Sequence, residues 1–106
     1  MTIPTCNENM LQVIASTGLE GRIKRILGQA GVSGYTLFDV RGDGETGYHS
    51  GEIAGDGNVM FMIILPETQI KPLVEKLETF EKQGHHLLIF SSDICVMTRS
   101  KLDHCS

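Results

Sequence analysis

Apolar positions recur along this chain in two registers, alternate and helical, and the switches between them mark its elements. From Met10 to Ser16, Leu11, Val13 and Ala15 alternate with Gln12 and Ser16, while Met10 and Ile14 make the run apolar on both faces. That pattern predicts a central strand. From Leu19 the interval lengthens. Leu19, Ile23, Ile26, Leu27 and Ala30 follow helical spacing, with Arg22, Lys24, Arg25 and Gln29 mainly on the other side. Thr17-Gly18-Leu19-Glu20 reads as a capping box, in which the Thr17 hydroxyl accepts from the Glu20 backbone N–H and the Glu20 side chain reaches back. Gly31 is the expected stop, because glycine takes positive φ without steric penalty.

Gly34 to Arg41 alternates again, with Thr36, Phe38 and Val40 on one face and Tyr35, Leu37, Asp39 and Arg41 on the other. Asn58 to Leu65 is a third strand, ended by Pro66. Ile70, Leu73, Val74, Leu77 and Phe80 form the apolar stripe of a second helix, with Glu75, Lys76 and Glu78 solvated and Gly84 closing it. Its start is expected close to Pro72, since proline is tolerated in a first turn. Leu87 to Phe90 is a fourth strand, broken by Ser91-Ser92-Asp93 and resumed from Ile94 to Thr98. Residues 1–9 read as a disordered lead-in to a single domain over 10–106. The order is the α+β, ferredoxin-like βαββαβ plan: an antiparallel sheet with two helices on one face. Because the strands are apolar on both sides, the second face is expected to be covered by a partner subunit.

Composition narrows the function. A chain of 106 residues makes one domain. The net charge of −4 comes with no basic stripe, which argues against nucleic acid as a partner. The longest apolar run, Val59 to Leu65, has strand length, so no membrane span is expected. Met1 to Met10 lacks the basic-then-apolar order of a signal peptide, and the expected location is cytoplasmic. Cys6, Cys95 and Cys105 are odd in number and form no Cys-x-x-Cys, so neither a disulfide framework nor a zinc site is indicated. Cys95 reads as core, and Cys6 and Cys105 as exposed reduced thiols.

The candidate chemistry centres on the segment from Gly42 to Gly57, between strands two and three, which holds six of the chain's 12 glycines. A loop this long in so small a domain more often carries function than not. His49, His85, His86 and His104, with Cys105, raise a metal reading, but adjacent residues in extended chain point to opposite faces. Glu75, Glu78 and Glu81 form a solvated helix face, and Ser50, Ser91 and Ser92 lack any elbow motif. No nucleophilic constellation emerges, and an enzyme is not expected.

The run Gly31-Val32-Ser33-Gly34-Tyr35-Thr36-Leu37-Phe38-Asp39-Val40-Arg41-Gly42-Asp43-Gly44 resembles the helix-to-strand segment of PII signal proteins. There Gly-x-x-Gly-x-Thr leads to Gly-x-Gly at the base of a so-called T-loop. Ser33-Gly34-Tyr35-Thr36 is most similar to the PII-like proteins linked to bicarbonate transport and carboxysomes, and the pattern extends over Met10 to Lys101. The resemblance implies a homotrimeric regulatory protein with adenine nucleotide in clefts between subunits. By position, adenine would lie against Ile14, Thr36 and Ile64, and Gly42, Asp43 and Gly44 would bring N–H groups near phosphate. Gly84, His85 and His86 stand where the family has its phosphate-cradling B-loop, and Arg99 and Lys101 match the basic pair of its C-loop. Tyr48, His49, Ser50 and Gly51 fall in the switch segment that would meet a protein target, a transporter or carboxysome component.

The chain also departs from that family. Thr46 stands where nitrogen-regulating members have Gln, the Gly84 turn lacks their Lys, and the loop is short for that class. These losses favour AMP or ADP as ligand over ATP with 2-oxoglutarate; bicarbonate as a further ligand is implied by the resemblance only, and no cofactor is expected. The rival readings are a metal-binding PII-like or CutA-like protein using His and Cys, and an acylphosphatase-type hydrolase using Arg41 and Asn58.

Overall fold

The structure, a computed structural model, describes residues 6–41 and 57–98. Its elements run β1 (Cys6–Ser16), a 3-10 turn (Thr17–Leu19), α1 (Glu20–Gln29), β2 (Thr36–Val40), β3 (Asn58–Leu65), α2 (Glu67–Lys82) and β4 (Leu87–Val96). The strands form one sheet in the order β2-β3-β1-β4, and each paired neighbour is antiparallel. This is the ferredoxin-like α+β plan, and its cause is visible in the burial. Leu11, Val13 and Ala15 of β1 and Val59, Phe61 and Ile63 of β3 are at most 1% exposed. Ile23 and Leu27 of α1 and Leu73 and Leu77 of α2 pack against them. Among the described residues no helix is long and apolar enough to cross a membrane.

Both helices keep their expected apolar stripes, but their starts differ from the sequence reading. The capping box does not form: neither Ser16 nor Leu19, which take the N-cap positions, makes a side-chain cap bond. Instead Thr17–Leu19 tightens into the 3-10 turn, which the Glu20 N–H closes onto the Thr17 carbonyl. The Glu20 carboxylate turns to Lys24, 2.8 Å away. Helix α2 begins at Glu67, well before Pro72, which lies inside it. The Gln69 N–H bonds the Pro66 carbonyl at 2.9 Å and nucleates the helix there. Pro72 is exposed, so the carbonyl that its missing N–H leaves open can be met by water. The helix ends as expected, with φ of 81° at Gly31 and 105° at Gly84 following the two elements.

The strand bounds also shift. Strand β2 spans Thr36–Val40 only, inside the expected Gly34–Arg41. Strand β4 is continuous through Ser91-Ser92-Asp93, because those residues pair with Leu11, Met10 and Asn9 of β1. That ladder likewise draws residues 6–9 out of the expected lead-in and into β1, opposite Asp93–Val96. Polar residues that would favour a turn in isolation are overridden here by backbone pairing. Cys95, expected in the core, is exposed on this ribbon.

Candidate functional site

The register gathers several chain segments at one end of the sheet. Val40 pairs with Asn58, Asn58 with Ser16, and Ala15 with both Val59 and Leu87. Arg41, Gly57, Thr17 and the Gly84–His86 turn therefore all leave the sheet at the same end. The Thr17 N–H donates to the Gly57 carbonyl at 2.9 Å, tying the return of the glycine-rich segment to the end of β1. Gly42, Asp43, Gly44, Thr46, Tyr48, His49, Ser50 and Gly51 lie outside the described residues, as do Arg99 and Lys101.

The Gly84–His86 turn has a definite chemistry. Its leading N–H groups close the helix rather than facing outward: Gly84 and His85 both donate to the Glu81 carbonyl, at 3.0 and 3.2 Å, and Gln83 to that of Phe80 at 3.1 Å. The turn also sits at a helix C-terminus, where the aligned peptides leave partial negative charge. Positive character must come from side chains. The His85 ring stacks on Phe80, with centroids 4.3 Å apart and planes 22° from parallel. Arg22 reaches over from α1, with its Cζ 5.7 Å from the Phe80 ring centroid and Nη1 3.4 Å from His85 Nε2. A guanidinium has only donors, so His85 Nε2 is the acceptor in this contact. His86 is exposed. Arg22, read from sequence as part of a solvated helix face, is the residue that sequence reasoning missed. It lies 63 positions from His85, and no local spacing could signal the contact.

The three residues expected to meet adenine share the outer face of the sheet, opposite the helices. Paired residues of antiparallel strands share a face. Outer rows accordingly run Phe38, Met60, Ile14, Leu88, then Thr36, Met62, Gln12, Phe90, then Ile64, Met10, Ser92. Thr36 and Ile64 are diagonal neighbours, and Ile14 lies nearer the loop end. The face is apolar yet open: Phe38, Leu88 and Phe90 are 39%, 37% and 41% exposed. Its central polar group, Gln12, directs its Nε2 donor at the Met60 thioether, 3.4 Å away.

At the opposite end of the β1–β4 ribbon a pocket of about 500 Å³ is lined by Glu8, Asn9, Glu67, Asp93, Ile94 and Cys95. Its carboxylates suit no phosphate. Among the described residues no group of three His, Cys, Asp or Glu is arranged to hold a metal ion. Asn58 is buried, with its Oδ1 out of solvent, so the pairing with Arg41 that a hydrolase would need is not presented at the surface.

Strand β4 runs ten residues from the Gly84–His86 turn to Val96. At ~3.3 Å per residue that is about 30 Å. The far end of β4 is therefore remote from the Gly84–His86 turn.

Comparison with known proteins fits this geometry. The nitrogen regulatory protein P-II family model matches residues 8–104. Among solved structures, the chain is similar to CPII from Thiomonas intermedia K12 bound to ADP and bicarbonate, with 28% identity and a TM-score of 0.76 over 94% of this chain and 98% of that one. The same protein bound to ADP, AMP and acetate matches at 26% identity and TM-score 0.76, over 93% and 97% of the two chains. A DUF3240-family protein from Shewanella baltica OS155 shares the fold, at 22% identity and TM-score 0.65 over 89% and 92%. No curated protein matches the sequence.

Proposed function

Because the chain belongs to the nitrogen regulatory protein P-II family, we propose that it is a cytoplasmic regulatory protein, not an enzyme, that binds adenine nucleotide in clefts between the subunits of a homotrimer. The observation that carries this reading is the likeness, over nearly the whole chain, to CPII bound to ADP and bicarbonate. Two features of the chain support it. The outer sheet face is apolar and uncovered, as a subunit interface requires. Strand β4 carries the chain away from the Gly84–His86 turn to Val96 at the far end of the sheet, the direction that a site shared between chains requires.

In this reading the base lies against Ile14, Thr36 and Ile64. The phosphates lie among Gly42, Asp43, Gly44, the Gly84–His86 turn, Arg99 and Lys101. Occupancy is relayed to a protein target through residues 42–57, with Tyr48, His49, Ser50 and Gly51 at the contact. AMP or ADP is favoured over ATP, because Thr46 replaces a Gln and the turn has no Lys to hold a γ-phosphate. Bicarbonate is the second ligand, and the target belongs to inorganic-carbon uptake or the carboxysome.

Calorimetric titration with AMP, ADP, ATP, 2-oxoglutarate, zinc and copper tests this. ADP or AMP should bind at least as tightly as ATP, and 2-oxoglutarate should add little. ATP binding that rises sharply with 2-oxoglutarate would refute the ligand choice, and tight metal binding without nucleotide binding would replace the reading with the metal one.

A further inference from the structure

We propose that Arg22, carried on α1, is the cation that grips the terminal phosphate of the nucleotide at the Gly84–His86 turn; this rests on the nucleotide-binding reading above. The need for such a cation follows from the turn itself. The N–H groups of Gly84 and His85 are already committed to the Glu81 carbonyl, and the helix end adds partial negative charge. An anion placed there would be repelled unless a fixed positive charge stood beside it. From Gln83 to Thr98 the chain offers neither Lys nor Arg. Lys82 falls in the last turn of α2, but it is two residues from Phe80, and residues so spaced do not share a helix face.

Arg22 meets the requirement on three counts. Its guanidinium is held at the turn, over the Phe80 ring and against His85 Nε2. Its charge is not neutralised locally, because the nearby Glu20 carboxylate pairs with Lys24, and among the described residues Arg22 has no carboxylate partner. It is exposed, and one contact to His85 leaves most of its planar set of donors for a phosphate. The approach to the Phe80 ring and the contact to His85 Nε2 hold the guanidinium near the turn before ligand arrives, which lowers the ordering cost of binding. A phosphate bound here would also bring His86 within the same exposed turn. The α1 cation thereby supplies charge to a β-phosphate at the turn, without standing in for the lysine that would hold a γ-phosphate.

The test is calorimetry of ADP, AMP and adenosine on the wild-type protein, Arg22→Gln and Arg22→Lys, with circular dichroism to verify the fold. Wild type should bind ADP more tightly than AMP. Arg22→Gln should weaken ADP by about tenfold or more, as for loss of a hydrogen bond to a charged group, and bring ADP and AMP together. Adenosine should stay within about twofold, the range of a surface substitution. Arg22→Lys should recover part of the ADP affinity, since it restores charge without the fork. Unchanged ADP affinity in a folded Arg22→Gln protein would overturn the assignment. So would an equal loss for ADP and adenosine, which would mark Arg22 as a packing residue of Phe80 and His85. If wild type binds none of the three ligands, the nucleotide reading itself has failed, and Arg22 falls with it.

Discussion

On the inner face of the sheet Val13, Phe61 and Ile63 are wholly out of water beneath α1 and α2, whereas on the outer face Phe38, Leu88 and Phe90 stand 37–41% exposed. The two faces are built from similar apolar side chains on the same strands. What differs is the cover: among the described residues, two helices lie on one face and none on the other. Apolar strands facing both ways suit a sheet buried on both sides. Folding satisfies one half of the strand pattern, and the proposed association would satisfy the other.

The largest effect should come from charging the outer face. Phe90→Asp places a carboxylate where the second copy would bury it, and an unpaired buried charge is strongly disfavoured. Light scattering should show three chains per particle for wild type, with association weakened by at least about a hundredfold in the variant. Circular dichroism should remain native, since Phe90 is 41% exposed in the single chain. An unchanged particle mass would mean that this face is not the interface. Next is the inner face. Leu27 is fully buried, so Leu27→Ala should lower unfolding stability by about 2–5 kcal/mol in denaturant titration. A loss well under that range would show that the helices cover the inner face less firmly than the packing indicates.

A smaller effect is expected at the seam between the faces. Gly84 has φ of 105° with open space around its Cα. Gly84→Ala should therefore cost about 1–2 kcal/mol through backbone strain alone, without a clash. The smallest effect belongs to neither face. The Glu20 carboxylate, by hydrogen bond and then by charge, holds the Lys24 ammonium above the ordinary lysine range. A raised folded-state value stabilises below the unfolded value of 10.5 and is lost as pH rises through the folded one. Glu20→Gln should return the Lys24 titration, followed by NMR, toward the ordinary value while leaving neutral-pH melting nearly unchanged.

Legibility followed the range of the forces involved. The stripes Ile23–Leu27 and Leu73–Leu77 were readable because helical periodicity is local, and Gly31 and Gly84 were readable as stops because positive φ is a property of one residue. The strands were likewise visible, in the alternation of Leu11, Val13 and Ala15 and in the apolar run from Val59 to Leu65. The unbroken course of β4 through Ser91-Ser92-Asp93 was hidden, because the pairing that holds it comes from Asn9, Met10 and Leu11 far away in sequence. The early start of β1 was hidden for the same reason. At the candidate site, the shared face of Ile14, Thr36 and Ile64 could be expected from the resemblance. The engagement of the Gly84 and His85 N–H groups, and the arrival of Arg22, belong to tertiary geometry that no spacing encodes.

The direction of β4 has a consequence for how the protein would report. In the proposed reading the nucleotide pocket is shared between subunits, and such a pocket exists only while those subunits are together. Nucleotide affinity should then vary with protein concentration, fading as dilution separates the subunits, and ligand should in turn hold the subunits together by the same free energy. Such a protein measures its own abundance along with its ligand: when it is scarce it is deaf to nucleotide, and it begins to listen only once enough copies have accumulated to meet.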